Sequence, residues 1–109
     1  MLKKCIAAKL VAKPGKEADV EAFLRSGLEL AEQEPLTVTW YAIKFSENTF
    51  GIFDTFEGDE GRQAHLNGKI ADALMAKADE LLAEPPHIEL VDLIAAKVPG
   101  STRADSTSA

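Results

Sequence analysis

The stretch that decides the fold runs from residue 36 to residue 56 and has the sequence LTVTWYAIKFSENTFGIFDTF. Its two ends, 36–45 and 50–56, are rich in β-branched and aromatic residues, which are typical of strands. The four residues between them, 46–49, are polar and favour a turn. The stretch therefore predicts a β-hairpin.

Two elements are predicted on the N-terminal side of the hairpin. Apolar residues alternate along 3–13, which indicates a strand that ends at Pro14 and Gly15. Over 17–34 the apolar residues recur at helical spacing, which predicts a helix with one buried stripe. Pro35 disfavours helical geometry at Glu34 and so ends this helix.

The C-terminal side repeats the alternation of helix and strand. Residues 57–61 predict a loop in which Asp59 is a candidate helix N-cap. A helical pattern then covers 62–83, and Asn67 and Gly68 predict a break, so that a short helix precedes a longer one. Two prolines end that pattern, and 87–96 alternates as a last strand.

The resulting order of elements, β-α-β-β-α(α)-β, predicts an α+β fold of the ferredoxin-like, split βαβ type. In that fold a four-stranded antiparallel sheet carries its helices on one face. We expect one domain over 1–98 and a disordered tail over 99–109, because the tail consists mainly of small and polar residues.

The predicted strands are apolar on both faces, although the helices cover only one face of the sheet. In 36–45 the odd-numbered face carries Tyr41, Ile43 and Phe45, opposite Trp40 and Ala42. Leaving such side chains in water forgoes about 1.5–3 kcal/mol each. An exposed apolar sheet face is a contact surface, so we expect a homodimer that packs sheet against sheet.

Composition excludes several classes of partner and location. The longest apolar runs have four residues, far short of the roughly 20 that span a bilayer. Residues 1–16 carry five lysines and no acid, whereas the rest has 7 basic and 18 acidic residues, or −11. An acidic body with lysines along one strand argues against nucleic-acid binding. The single cysteine, Cys5, provides neither a disulfide nor a thiolate zinc site. Lys9 and Lys13 interrupt the apolar stretch that a signal peptide would need, so we expect a cytoplasmic protein.

Few residues are available for chemistry. The chain has no phosphate loop, GxGxxG, HExxH or GxSxG motif. His65 is either a polar residue at a helix edge or a neutral imidazole in the cleft between helix and sheet, able to take a proton near pH 7. Asp54 lies between two apolar residues on its strand face, Ile52 and Phe56. A carboxylate with such neighbours either points to solvent, lies near a strand end with a local partner, or occupies a cavity.

Three segments together resemble the antibiotic biosynthesis monooxygenase (ABM) domain family of dimeric α+β barrels. They are the KPGKE turn before the first helix, FDTF followed by a short helix with AHL, and LAEPP before the last strand. The family's histidine at the start of this helix corresponds to His65. The haem-degrading branch is disfavoured, because Phe56 stands where tryptophan is expected and 3–12 contains no asparagine.

The resemblance implies a cofactor-free and metal-free monooxygenase that oxidises a quinol or a phenolic or polycyclic aromatic substrate with dioxygen. It implies His65 as the base, Asp54 as its helper, and Trp40, Phe53 and Phe56 as candidate cavity walls. Strand alternation favours Trp40 or Phe56, since Phe53 faces the other way. Two alternatives stay open: a non-catalytic dimeric module that binds a small ligand or acts in stress, and a cofactor-free isomerase or cyclase.

Overall fold

The computed structural model describes residues 1–99 of the 109-residue chain. Its elements follow the predicted order, and they are β1 (Lys4–Val11), α1 (Glu17–Glu32), β2 (Thr39–Ser46), β3 (Thr49–Phe56), α2 (Asp59–Leu66), α3 (Lys69–Leu81) and β4 (His87–Asp92). The four-stranded antiparallel sheet and its helices confirm the ferredoxin-like α+β fold. The predicted tail, except for Pro99, lies outside the described residues.

Three strands are shorter than predicted, for identifiable reasons. β1 ends at Val11 rather than at residue 13, because Ala12 forms only an isolated bridge with Leu82. β2 begins at Thr39, because the residues after α1 form a turn in which the Thr37 amide donates to the Glu34 carbonyl at 3.2 Å. β4 ends at Asp92, opposite Lys4, where its partner β1 begins. The expectation that Asp59 caps α2 was wrong: Gly58 is the N-cap residue, and the Asp59 carboxylate instead pairs with Arg62 at 3.0 Å.

The strand order is β2-β3-β1-β4, so β3 and β1 form the centre of the sheet and β2 is an edge. In this register Asp54 on β3 has Ile6 on one side and Trp40 on the other. A buried carboxyl therefore lies on a central strand, on the face that the helices cover.

The core lies between that face and the helices. It contains apolar side chains from the central strands, from α1 and from α3, with Phe50, Leu10 and Val20 among the largest fully buried ones. α2 packs over the opposite end of β1 and β3. Because this short helix sits at the end of β3, it is the element that brings a side chain to Asp54.

The second face of the sheet carries the apolar side chains that the alternation predicted. Tyr41, Ile43 and Phe45 on β2 are 52%, 42% and 60% exposed. Phe53 on β3 lies on the same face, across from Tyr41, and is half-buried. Within residues 1–99, no helix is both long and apolar enough to cross a bilayer.

Candidate functional site

The candidate site is built around Asp54, which is completely buried. Its carboxylate lies among apolar neighbours near the end of β3, with Phe56 two residues further on the same face. Of the three positions that the sequence left open for this residue, the structure excludes the solvent-facing one and places Asp54 near a strand end. A buried carboxylate is costly unless it has a partner, so the groups around it decide its role.

His65 on α2 is that partner. Its Nε2 lies 3.0 Å from Asp54 Oδ2, at ion-pair distance, although the contact is not aligned as a hydrogen bond. The imidazole also lies beside the Phe56 ring, with centroids 5.6 Å apart and planes inclined at 48°. Sequence analysis named all three residues, and the structure brings them together.

A glycine allows α2 to come this close. A Cβ on Gly61 would lie 3.0 Å from the Leu36 carbonyl oxygen and 3.4 Å from the Phe56 ring. Backbone cannot yield as a flexible side chain does, so only glycine lets the helix contact the turn after α1. The same close approach brings Nδ1 of His65, the ring nitrogen that does not face Asp54, to that turn.

Glu34, in this turn, is the residue that sequence analysis missed. Its Oε1 lies 2.6 Å from His65 Nδ1 and also accepts a hydrogen bond from the Thr37 hydroxyl at 2.7 Å. Its side chain is 20% exposed, whereas that of His65 is 8% exposed. The imidazole therefore lies between a fully buried carboxylate and one that reaches solvent.

These contacts set the charge of the imidazole. Burial lowers the pKa of His65, but the Asp54 and Glu34 carboxylates more than offset this, and its pKa is raised from 6.5 to about 9. The neutral imidazole considered from the sequence is therefore replaced, at pH 7, by an imidazolium. Such a group holds a proton rather than takes one.

Two cavities flank this arrangement on the helix side of the sheet. The smaller, of about 180 Å³, has His65, Glu34 and Thr37 in its wall together with residues of the turn after α1 and of α2. The larger, of about 680 Å³, lies between α1 and β2 and has Trp40, Phe50 and Leu24 in its wall. Trp40 thus borders a different cavity from His65, and Phe53 lies on the opposite face of the sheet.

Trp40 packs tightly against α1. Its ring would lie 3.3 Å from a Cβ on Gly27, so glycine in the middle of this helix makes room for the indole.

The other histidine, His87, is exposed on β4 and pairs with Glu89 at 2.8 Å. Among residues 1–99, no cluster of three or more histidine, cysteine, aspartate or glutamate side chains is placed to hold a metal ion.

Comparison with known proteins defines the relatives of this chain. No protein-family model matches the sequence, and no curated protein matches it. The structure of NE2512, a protein of unknown function from Nitrosomonas europaea, is 53% identical over 93% of this chain and 98% of that one, with a TM-score of 0.91.

More distant structures carry the ABM name. A candidate antibiotic biosynthesis monooxygenase from Nitrosomonas europaea has a TM-score of 0.77 at 12% identity, over 88% of this chain and 94% of that one. Another structure named antibiotic biosynthesis monooxygenase has a TM-score of 0.73 at 16% identity, over 84% and 99%. At these identities the likeness is one of fold. The chain therefore belongs to the same family as NE2512 and has the ABM-like fold that its sequence resembles.

Proposed function

We propose that the protein is a cofactor-free monooxygenase that oxidises a small phenol or quinol with dioxygen. One observation carries the proposal: a line of Asp54, His65 and Glu34, buried at one end and open at the other to a cavity. A reaction that begins with deprotonation of a phenol needs a base in a mostly dry site, and the ABM-like fold supports the same class of chemistry.

Glu34 is the group in this line that can meet a substrate. Both nitrogens of His65 face carboxylates, so the imidazole has no free position for a phenol. Oε1 of Glu34 already accepts two hydrogen bonds, and its Oε2 accepts none from residues 1–99. We therefore assign Oε2 as the acceptor of the phenolic proton.

His65 and Asp54 then act through Glu34. The imidazolium orients the Glu34 carboxylate, and the buried Asp54 keeps the imidazole charged. When a peroxide forms on the substrate, the His65 proton can pass through Glu34 to the departing oxygen. His65 is thus a proton store and a positioning residue, whereas the resemblance to the ABM family implied that it is the base.

The overall reaction balances without a further reductant. A phenol with a free para position reacts with one dioxygen to give a quinone and one water. One oxygen atom enters the ring, the other leaves as water, and the phenol supplies all four electrons. The cavity beside Glu34 holds about 180 Å³, which fits a substrate of one or two rings.

Oxygen uptake tests this function. Metal-free protein with 1-naphthol, a two-ring phenol whose para position is free, is expected to consume dioxygen and form the quinone, and Glu34→Gln is expected to lower kcat by at least about tenfold, within the range for loss of general-base catalysis. Glu32→Gln is the matched control, because it removes an exposed carboxylate two residues away. Uptake by Glu34→Gln at the unaltered rate would contradict the role of Glu34. Turnover of the phenol without oxygen uptake would instead favour an isomerase, and binding without turnover a ligand-binding module.

We also propose that the protein is a homodimer joined through the second face of the sheet. Tyr41, Ile43 and Phe45 form an exposed apolar surface there, and the Lys9 ammonium lies 5.3 Å from the Phe45 ring centre. A face of this kind is stabilised when a second copy covers it. The mass measured by light scattering is expected to be about 23 kDa, twice the 11.7 kDa of the chain.

Phe45→Lys is expected to convert this dimer to a monomer at micromolar concentration, because the interface would bury a second positive charge beside Lys9. Met75→Lys is the matched control. Met75 is also 60% exposed but lies on α3, on the other side of the sheet. Monomeric wild-type protein, or a Phe45→Lys variant that stays dimeric, would contradict the interface.

A further inference from the structure

The predicted last strand is longer than the strand that the chain forms by itself. Alternation predicts a strand over 87–96, whereas β4 ends at Asp92, because the neighbouring β1 begins opposite it. Residues 94–97 belong to no strand among residues 1–99. We call residues 93–98, which have the sequence LIAAKV, the C-terminal arm. The arm therefore continues the pattern of a strand beyond the point where its own sheet ends.

The C-terminal arm is apolar and mostly uncovered. Ile94 is 98% exposed, and the two alanines that follow it are exposed as well. In an extended chain Ile94 and Ala96 lie on one side, whereas Lys97, the only charged residue of the arm, lies on the other. Leaving an isoleucine side chain in water is unfavourable, so the Ile94 side of the arm is stabilised when an apolar surface covers it.

The larger cavity is a groove along a free strand edge. Its wall contains five consecutive residues of β2, 40–44, together with Leu24 and Leu28 of α1. Successive side chains of a strand point to opposite faces, so a cavity that borders all five residues runs along the edge of β2. Within residues 1–99 this edge is unpaired, because β2 pairs only with β3.

A groove between a helix and an unpaired strand edge accepts an extended segment by strand addition. Backbone hydrogen bonds to the edge strand hold the segment, and its alternate side chains enter the groove. The charged residues in the wall of the larger cavity neutralise one another, since Glu21 pairs with Arg25 at 2.9 Å and with Lys44 at 3.7 Å. The groove therefore favours uncharged side chains, and the isoleucine side of the C-terminal arm provides them.

The position of the arm indicates that it meets the groove of another copy. β4 and β2 are the opposite edges of the sheet, three interstrand spacings or about 14 Å apart. The arm leaves the sheet at the β4 edge, and none of its residues lies in the wall of the larger cavity of its own chain. We infer that in the dimer the C-terminal arm of each copy adds to the β2 edge of the other and places Ile94 in its groove. The inference rests on the proposed dimer, to which it adds a second contact, and it is independent of the monooxygenase activity.

The accessibility of Trp40 tests this contact, because Trp40 is the only tryptophan of the chain and lies in the wall of the groove. At micromolar concentration, Ile94→Asp is expected to increase the quenching of its fluorescence by acrylamide and to shift its emission to longer wavelength. The same variant is expected to raise the dissociation constant of the dimer by at least about tenfold, the factor that corresponds to burial of one isoleucine side chain. Ile88→Asp is the matched control, because Ile88 is 42% exposed on β4 but lies outside the arm.

A mixture of two variants tests whether arm and groove belong to different copies. Leu28 is 48% exposed in the wall of the groove, and Leu28→Asp alone is expected to leave Trp40 as accessible as Ile94→Asp does. A mixed dimer combines the unaltered arm of the Leu28→Asp chain with the unaltered groove of the Ile94→Asp chain. The mixture is therefore expected to recover part of the protection of Trp40 that each variant loses alone.

Three results would overturn the contact: equal accessibility of Trp40 in the wild type and in Ile94→Asp, an equal effect of Ile88→Asp, or a mixture without recovery. Trp40 that stays protected in a monomeric Phe45→Lys variant would place the arm in the groove of its own chain and reject the second copy. A dimer that is indifferent to Ile94→Asp would keep the sheet interface and reject the arm. A dimer that survives Phe45→Lys but dissociates in Ile94→Asp would support the arm and reject the sheet interface.

Discussion

Replacing His65 by leucine is expected to lower the free energy of unfolding by about 3–5 kcal/mol at pH 7, the usual cost of removing one partner of a buried ion pair. The cost is large because Asp54 is completely buried and has no hydrogen-bond partner among residues 1–99, so the ion pair with His65 is what compensates its charge. Leucine keeps the apolar contact with Phe56, so the loss reports on the stranded carboxylate rather than on a cavity. Urea-induced unfolding followed by circular dichroism measures it.

The double variant Asp54→Leu and His65→Leu separates charge from packing. Well-packed apolar residues often replace a buried ion pair without loss of stability. The double variant is therefore expected to recover most of the stability that His65→Leu loses, while its oxygen uptake stays low. If the double variant is as unstable as the single one, the loss comes from packing, and the ion pair is not what makes His65 important to the fold.

The elements of the fold were predictable because each has a local pattern. Each of these patterns affects only residues close to it in sequence. Examples are the hairpin at 36–56, the break at Asn67 and Gly68, and the prolines that end the helices. The errors occurred where a partner decides the outcome. The end of β4 depends on where β1 begins, and the start of β2 depends on a hydrogen-bonded turn after α1.

The site was predictable only in part, for the same reason. His65 and Asp54 stand out locally, as a histidine at the edge of a helix and an acid within an aromatic strand. Glu34 is 31 residues from His65, at the end of a different helix, and no local pattern links the two. One of the two interpretations of His65 was a neutral imidazole because Glu34 was not recognised as its second partner, and both carboxylates raise the pKa of this histidine.

The free energy of unfolding is expected to depend on pH between the pKa of His65 in the unfolded chain and its pKa in the folded protein. The pKa of His65 rises from 6.5 in the unfolded chain to about 9 in the folded protein, so the folded state binds the proton more tightly. The stabilisation is complete below pH 6.5 and is lost as pH rises through 9. It amounts to about 3 kcal/mol, since each unit of pKa corresponds to about 1.4 kcal/mol.

The other groups with shifted pKa values affect stability outside the range from pH 6.5 to 9. Burial raises the pKa of the Cys5 thiol above 9.0, with a further contribution from the nearby Asp54. Its effect on stability therefore begins only above pH 9. Hydrogen bonding to Arg25 lowers the pKa of Glu21, and hydrogen bonding to Lys4 lowers that of Asp92, so both affect stability only at acidic pH. Between pH 6.5 and 9 the decline is assigned to His65.

Unfolding in urea at a series of pH values is expected to show this decline in the wild type and its absence in the Asp54→Leu, His65→Leu double variant. The pKa itself can be read from the imidazole resonances by NMR. The chain has two histidines, so His87→Gln leaves one signal to follow. A midpoint near 6.5 for that signal, together with constant stability across this pH range, would mean that the two carboxylates do not hold the proton. The imidazole would then be neutral at pH 7, and His65 would regain the role of base.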